Sequence, residues 1–323
     1  MLLLLTALLS PLPAHAKKPR VYTAVRLDLE GRPGLCPGKF QKIDLYGTDD
    51  AGKERKIRFG QWKEFDIAWD IGPVSPKGGL EMPLDPEIAW GKAGTISVSW
   101  TSDPSVSTSA NLPARYDCEL VLTRSGVAGA TGASGDLGST TSDSEGGDGQ
   151  SGARGQRGGD GPPLEVRVHL AKDPTSGVDV LQVAVKDLVT QESWNTAVGV
   201  EGGRMTIRTL GGPGGPGGRG GDGGAGTDGH DGGDGGQGGD GGEGGSGGPI
   251  TVLVDPAASS AMARALVFEN PGGPGGHPGP GGSGGQGDEP GEPGQAGPEG
   301  HPGQPGPPGP APDIRVQPVG PIW

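Results

Sequence analysis

Apolar and polar residues alternate in short runs over the first third of the chain. The clearest run, Thr95-Ile96-Ser97-Val98-Ser99-Trp100, places an apolar residue at every second position, which is the period of a half-buried strand. Comparable runs at 21–29, 43–46, 56–59, 65–69 and 116–122 are separated by turn clusters rich in Gly, Pro and Asp, such as 47–52 and 72–79. With no helical period between them, residues 17–124 read as an all-β domain, a β-sandwich large enough to bury its own core.

Alternation returns in Leu164-Glu165-Val166-Arg167-Val168-His169-Leu170, in Met205-Thr206-Ile207-Arg208-Thr209 and in Ile250-Thr251-Val252-Leu253-Val254. The last is followed by Asp255-Pro256, a run of small residues and a second apolar stretch at 264–268, which predicts a β-hairpin. These strand connectors, 163–210 and 250–270, separate three glycine runs at 126–161, 211–249 and 272–310. Runs of such similar length suggest a repeat of glycine run plus connector.

In the middle run glycine holds every third position for thirteen consecutive triplets from Gly211, and all but two of them, Gly226-Thr227-Asp228 and Gly229-His230-Asp231, read Gly-Gly-X. A residue recurring every third position lines one edge of a polyproline II helix, which rises ~3.1 Å per residue and has no internal hydrogen bonds. Bare glycine on two edges lets neighbouring backbones approach and pair. The whole region, 125–323, is therefore expected to form polyglycine-II-like helices joined by β-hairpins, as an up-down-up bundle on the order of 100 Å long. A collagen triple helix and disorder are the alternatives.

The segment 291–310, GEPGQAGPEGHPGQPGPPGP, resembles the collagen-like repeat of bacterial surface proteins. The Gly-Gly-X run is similar to the glycine-rich helical bundles of springtail antifreeze proteins and some phage adhesins. These resemblances imply an exported structural or adhesive protein of a cell surface or extracellular matrix. Ice binding is a further reading that the second resemblance raises; against it, the X positions are charged where a regular Thr or Ala array would be needed.

Export is also the reading of the first residues. A hydrophobic run at 2–9 precedes Ala14-His15-Ala16, a small-residue cleavage pattern, so residues 1–16 are expected to be a signal peptide. No later stretch approaches the ~20 apolar residues of a membrane helix. Cys36 and Cys118 are the only cysteines, and in an exported chain they predict one disulfide, tying the two ends of the sandwich together.

Composition sharpens the division. Gly (70) and Pro (33) together approach a third of the 323 residues, outside ordinary globular usage. Net charge is −13, and residues 125–323 hold ten Lys and Arg against twenty-four Asp and Glu. An acidic surface of that kind repels phosphate backbones and argues against a nucleic-acid partner. Self-association and matrix or surface components are the partners that fit.

Candidate chemistry is sparse. Ser246 and Ser283 sit in Gly-x-Ser-x-Gly matches without the strand, helix and histidine that a nucleophile elbow needs, so no catalytic residue is assigned and the chain reads as a non-enzyme. Asp222, Asp228, Asp231, Asp234, Asp240 and Glu243 form an acidic column whose successive turns lie ~9 Å apart, too far for one helix to chelate a cation. The stretch is similar to calcium-binding nonapeptide repeats but lacks their apolar residue, and reads mainly as a solvated face. Asp228, His230, Asp231 and Asp234 are the weak metal candidates, with calcium the cofactor they would suit. The tryptophans of the first domain read as core, with a sugar-stacking platform as the alternative that would make the domain a glycan- or protein-binding module on a glycine-rich spacer.

Overall fold

The structure is a computed structural model that describes residues 21–29, 34, 36, 40–72, 74–75, 79–81, 90, 93–288 and 292–323. The expected signal peptide lies outside them. The described elements are mostly β-strands, as the sequence predicts, together with two 3-10 turns and one short α-helix that it does not. They fall into two compact units.

The first unit takes in Gln41–Glu81 and Gly94–Leu112 together with β1 (Tyr22–Leu29). One sheet has the order β1-β2-β6-β5, with β2 at Phe40–Asp49, β5 at Val74–Ser75 and β6 at Gly79–Glu81; β3 (Glu54–Lys56) pairs with β2. A second sheet runs β4-β7-β8, at Phe65–Trp69, Ala93–Trp100 and Asp103–Pro113. In β7 the buried residues Ile96, Val98 and Trp100 follow the predicted alternation. Tyr22 of β1 meets Phe65 and Trp100 of the other sheet, at ring separations of 5.4 and 5.6 Å. The run at 56–59 is only partly a strand, because the chain leaves β3 and enters a 3-10 turn over Phe59–Glu64. Strand β8 escapes the hydrophobic pattern: its serines face outward, Thr108 is half-buried beside Val106 and Ala110, and only Leu112 is buried.

The second unit holds Pro113–Trp323 together with Cys36. Strand β9 (Glu119–Ser125) was expected in the first domain, yet it pairs in parallel with β13 (Arg204–Leu210), which pairs in parallel with β15 (Leu266–Glu269). A second sheet has the order β12-β11-β10-β14-β16, with β10 at Leu164–Lys172, β11 at Asp179–Asp187, β12 at Ser193–Gly199, β14 at Ile250–Val254 and β16 at Asp313–Val316. Within it β10, β14 and β16 are mutually parallel. The two sheets share one core, in which Val166, Val183 and Val252 of the larger sheet join Leu120, Met205 and Ile207 of the smaller.

The expected hairpin at 250–270 does not form. β14 and β15 belong to different sheets, and between them Pro256–Ala258 starts a 3-10 turn that leads into α1 (Ser259–Ala265). The reason is local. Asp255 accepts the N–H of Ala257 at 2.9 Å, Pro256 has its φ preset for a first turn, and the alanine-rich stretch that follows favours helix. Ala261, Met262 and Ala265 then bury the helix against the core.

Each glycine run is folded back on itself, so there are six extended segments where three were expected: 126–138, 146–161, 211–226, 232–248, 272–287 and 292–310. Their length halves accordingly, to ~50 Å at polyproline rise. Asp143 and Asp228 take left-handed backbone (φ 64° and 54°) at the first two reversals, a conformation that Asp tolerates better than most residues. The first, third and fifth segments continue directly from β9, β13 and β15; the second, fourth and sixth lead directly into β10, β14 and β16. Two layers of parallel segments thus extend the parallel strands of two sheets, and the two layers run antiparallel to each other.

Candidate functional surface

The backbone accounts for the lattice. In the third segment Gly214 N–H donates to Pro274 of the fifth and Gly215 N–H to Gln156 of the second, while Pro213 accepts from Gly129 and Gly215 from Gly242. The same arrangement repeats every three residues and between every neighbouring pair of segments, at 2.7–3.1 Å. Buried backbone groups must be paired, and here glycine provides the pairing that a sheet ladder would otherwise supply.

Steric room explains which positions are glycine. A Cβ on Gly214, in the first position of its triplet, would lie 2.0 Å from the carbonyl oxygen of Gly242 in the next segment. A Cβ on Gly215, in the second position, would lie 2.0 Å from that of Ala130, two segments back. The first position is therefore bare where a following segment exists, with Pro278 of the fifth segment the exception, and the second is bare where a segment lies two places back. Both conditions bind the third, fourth and fifth segments, which are the Gly-Gly-X stretches, broken in the fifth only at Pro278. The first segment has nothing two places back, and its second positions are Val127, Ala130, Ala133 and Asp136; the second segment likewise carries Gln150, Ala153 and Gln156. The sixth has no follower, and its first positions include Pro293, Pro302, Pro305 and Pro308. Side chains obstruct one edge of the lattice; proline obstructs the other, and it also deletes the N–H that, like that of Gly214, would point to a further segment of the same layer.

The third position of each triplet faces out, and there the acidic column has a structural role. Asp222 accepts the backbone N–H of Ser283 at 2.7 Å, Asp231 that of Glu292 at 2.6 Å, Asp234 that of Gln295 at 2.7 Å and Asp240 that of His301 at 2.8 Å. Asp148 and Asp160 of the second segment do the same for Asp234 and Ser246, at 2.8 and 2.7 Å. The hydrogen bonds from Ser246 hold Asp160 below the usual carboxylate range, and those from His301 do so for Asp240. Pro298 and Pro307 offer no N–H, and the residues 61 positions earlier, the spacing of these clips, are Gln237 and Ser246 in place of aspartate. The aspartates are backbone clips between parallel segments, a role that sequence reasoning missed. A partial signal was available in the sequence: Asp stands 61 positions before Ser283, Glu292, Gln295 and His301, though not before His277, Gln286 or Gln304.

The metal candidates are not brought together. Asp231 and Asp234 are engaged as clips, Asp228 lies in the reversal, and among the described residues no three His, Cys, Asp or Glu side chains converge. Elsewhere His169 Nδ1 meets the Val319 carbonyl at 2.7 Å, and His301 lies 3.1 Å from Asp240. Ser246 and Ser283 are ordinary outward positions. In the first unit Trp69 and Trp100 are buried, so neither offers a face for sugar stacking.

Cys36 and Cys118 are disulfide-bonded across 82 residues. The bond lies within the second unit and anchors the approach to β9, so it does not span the first domain as expected. Nearby, buried Tyr116 donates to buried Asp173, which also accepts from Thr175 and Ser176 at 2.7 and 2.8 Å. Burial opposes ionisation of Asp173, but these donors outweigh it and hold its pKa low; burial, then Asp173 itself, pushes that of Tyr116 up. A cleft of about 600 Å³ opens where β9 passes into the first segment, lined by Arg124, Val127, Asp160, Asp187 and Val189 among others. Its charged groups are engaged: Arg124 lies 4.2 Å over the Trp194 ring and 3.4 Å from Asp187.

Charge divides the two outer faces. Third positions of the odd-numbered layer include Ala128, Thr131, Ser134, Leu137, Pro213, Pro216, Pro274, Pro280 and Ser283, and the charged residues Arg219 and Asp222 pair with each other at 2.6 Å. Those of the even-numbered layer include Asp148, Arg154, Arg157, Asp160, Asp231, Asp234, Asp240, Glu243 and Glu292. The acidic column expected from Asp222 to Glu243 is thus divided: Asp222 lies on the odd-numbered face and Asp231, Asp234, Asp240 and Glu243 on the even-numbered one. No family model, curated protein or solved structure matches this chain.

Proposed function

We propose that this is an exported, non-enzymatic structural or adhesive protein of a cell surface or extracellular matrix. In this reading the first unit is a β-sandwich and the six segments are polyglycine II helices forming a stiff, single-chain spacer. The observation that carries it is the closed lattice: its interior is backbone bonded to backbone, leaving no room for a buried reacting group, while two broad outer faces are available for contact. The disulfide supports an oxidising compartment, and no helix among the described residues is long and apolar enough to cross a membrane.

The reading is tested by expressing the full chain in its native host, fractionating the culture and washing the surface fraction with high salt and chelator. Retention with the cell surface or matrix is expected. Recovery of the protein from the cytosol with both cysteines reduced would overturn it.

A further inference from the structure

Side chains on the first two segments and proline on the sixth obstruct a further lattice segment at either edge, which disfavours sideways extension by a second copy. The faces remain. The even-numbered face is crowded with carboxylates, and pressing two copies of it together would place like charges against each other at a cost. The odd-numbered face is flat, regular and almost uncharged in a chain of net charge −13. Leu137 is 72% exposed on it.

We propose that this face docks against the same face of a second copy, about a two-fold axis lying in the interface plane and crossing the third segment between Arg219 and Asp222. Such an axis reverses the third segment onto its own partner. Arg219 then faces Asp222 of the partner subunit, so the one charged pair of the face complements itself, as an isologous contact requires. Asp222 keeps its Oδ1 on the Ser283 N–H and presents Oδ2, while Arg219, half exposed, turns from Asp222 of its own chain to that of the partner. Five triplets at ~9 Å per turn and three segments at ~5 Å spacing give a face of ~700 Å², or ~1,400 Å² for the pair, within the range of stable interfaces. Proline and small side chains lose little rotamer freedom when covered, which favours association of such a face.

Sedimentation velocity on the full chain over a hundredfold concentration range tests the proposal. A reversible dimer is expected, weakened at least tenfold by Leu137→Glu or Pro216→Glu, and by Arg219→Glu, which sets two acids against each other. Gln237→Glu, on the opposite face, should leave it unchanged. Each variant is compared at equal thermal stability, and Arg219→Glu guards against misfolding of the other two because it changes only a solvent-facing end. A wild-type chain that stays monomeric throughout would overturn the proposal, as would a dimer that responds equally to Gln237→Glu or to none of the odd-face changes.

Discussion

The Asp240 carboxylate in the fourth segment accepts the backbone N–H of His301 in the sixth, 61 residues away, at 2.8 Å. That bond answers a question an extended Gly-Gly-X segment raises every third residue: where the outward N–H of X finds a partner. In this chain the answers include proline, which removes the donor, and aspartate on the neighbouring parallel segment, which accepts it.

Acid should loosen these clips. Asp160 and Asp240 have folded pKa values below the unfolded carboxylate value of ~3.9. A depressed pKa contributes stability that is complete above the unfolded value and lost as pH falls through the folded one. The melting temperature should therefore be flat from neutral pH down to about 5 and fall below about 4. Asp240→Ala should lower it by roughly 2–4 °C at pH 7 and flatten the acid limb, whereas Asp240→Asn, which keeps the acceptor oxygen, should change little at pH 7. Calorimetry across pH 3–7 reads both, and an acid limb unchanged in Asp240→Ala would refute the role.

Glycine should be dispensable or essential according to what its Cβ would meet. Gly215→Ala forces a methyl to within 2.0 Å of the Ala130 carbonyl oxygen, and backbone on both sides prevents relief. A loss of at least ~3 kcal/mol is expected, at the upper end of overpacking costs. A Cβ on Gly159 would meet the Val127 nitrogen at 3.2 Å and its carbonyl oxygen at 3.4 Å, a contact that a shift of a few tenths of an ångström relieves, so Gly159→Ala should cost far less than Gly215→Ala and be close to neutral. Denaturant melts of the two variants decide it; equal losses would mean that the steric rule for this lattice is wrong.

What was legible in the sequence follows from which interactions are periodic. Alternation revealed β1, β4, β7 and β10 because each has one buried face, and the glycine period revealed extended segments needing close neighbours. The reversal inside each run was visible only as an interruption, Ser139 to Glu145 in the first and Thr227 to Asp231 in the second, and such polar residues serve equally well within an exposed helix. The partner of β9 was not legible at all. Parallel strands 85 residues apart, such as Glu119 and Arg204, leave no local trace of their pairing. Nor could the hairpin expected at 250–270 be told from a strand-helix-strand crossover until the alanines were seen packed on the core. The clips needed the register: Asp240 and His301 are unremarkable separately.

Tyr116 and Asp173 provide a test of the second unit's buried polar chemistry. Tyr116→Phe keeps the ring, which lies 6.4 Å from that of Trp90, but removes a donor to a buried carboxylate. Hydrogen bonds to charged groups contribute ~1.5–3 kcal/mol, and a loss of that size is expected at pH 7. Asp173 would retain the N–H groups of Thr175 and Ser176, so its pKa should rise without reaching neutrality. Below that new pKa the variant and parent should converge, because the advantage belongs to the ionised form. A stability difference independent of pH would mean that the hydroxyl acts through packing alone.

Reduction of the disulfide should separate the two units in stability. Cys36 and Cys118 close a loop of 82 residues, and in the chain-entropy model a loop of that size is worth ~4–5 kcal/mol. Both cysteines belong to the second unit, although the loop between them passes through the first. The direct consequence of releasing it is loss of the constraint on the approach to β9, from which the first glycine segment continues. Cys36→Ala/Cys118→Ala should therefore lower the unfolding midpoint of the second unit and raise hydrogen exchange at Gly126 and Gly129 before that at Gly239 and Gly242, which lie inside the lattice. The tryptophan environment of Trp69 and Trp100, buried in the first unit, should persist to denaturant concentrations at which the second unit has opened. Exchange mass spectrometry with near-ultraviolet dichroism resolves the order. Simultaneous loss of both signals would show that the two units unfold as one and that the disulfide stabilises the chain as a whole.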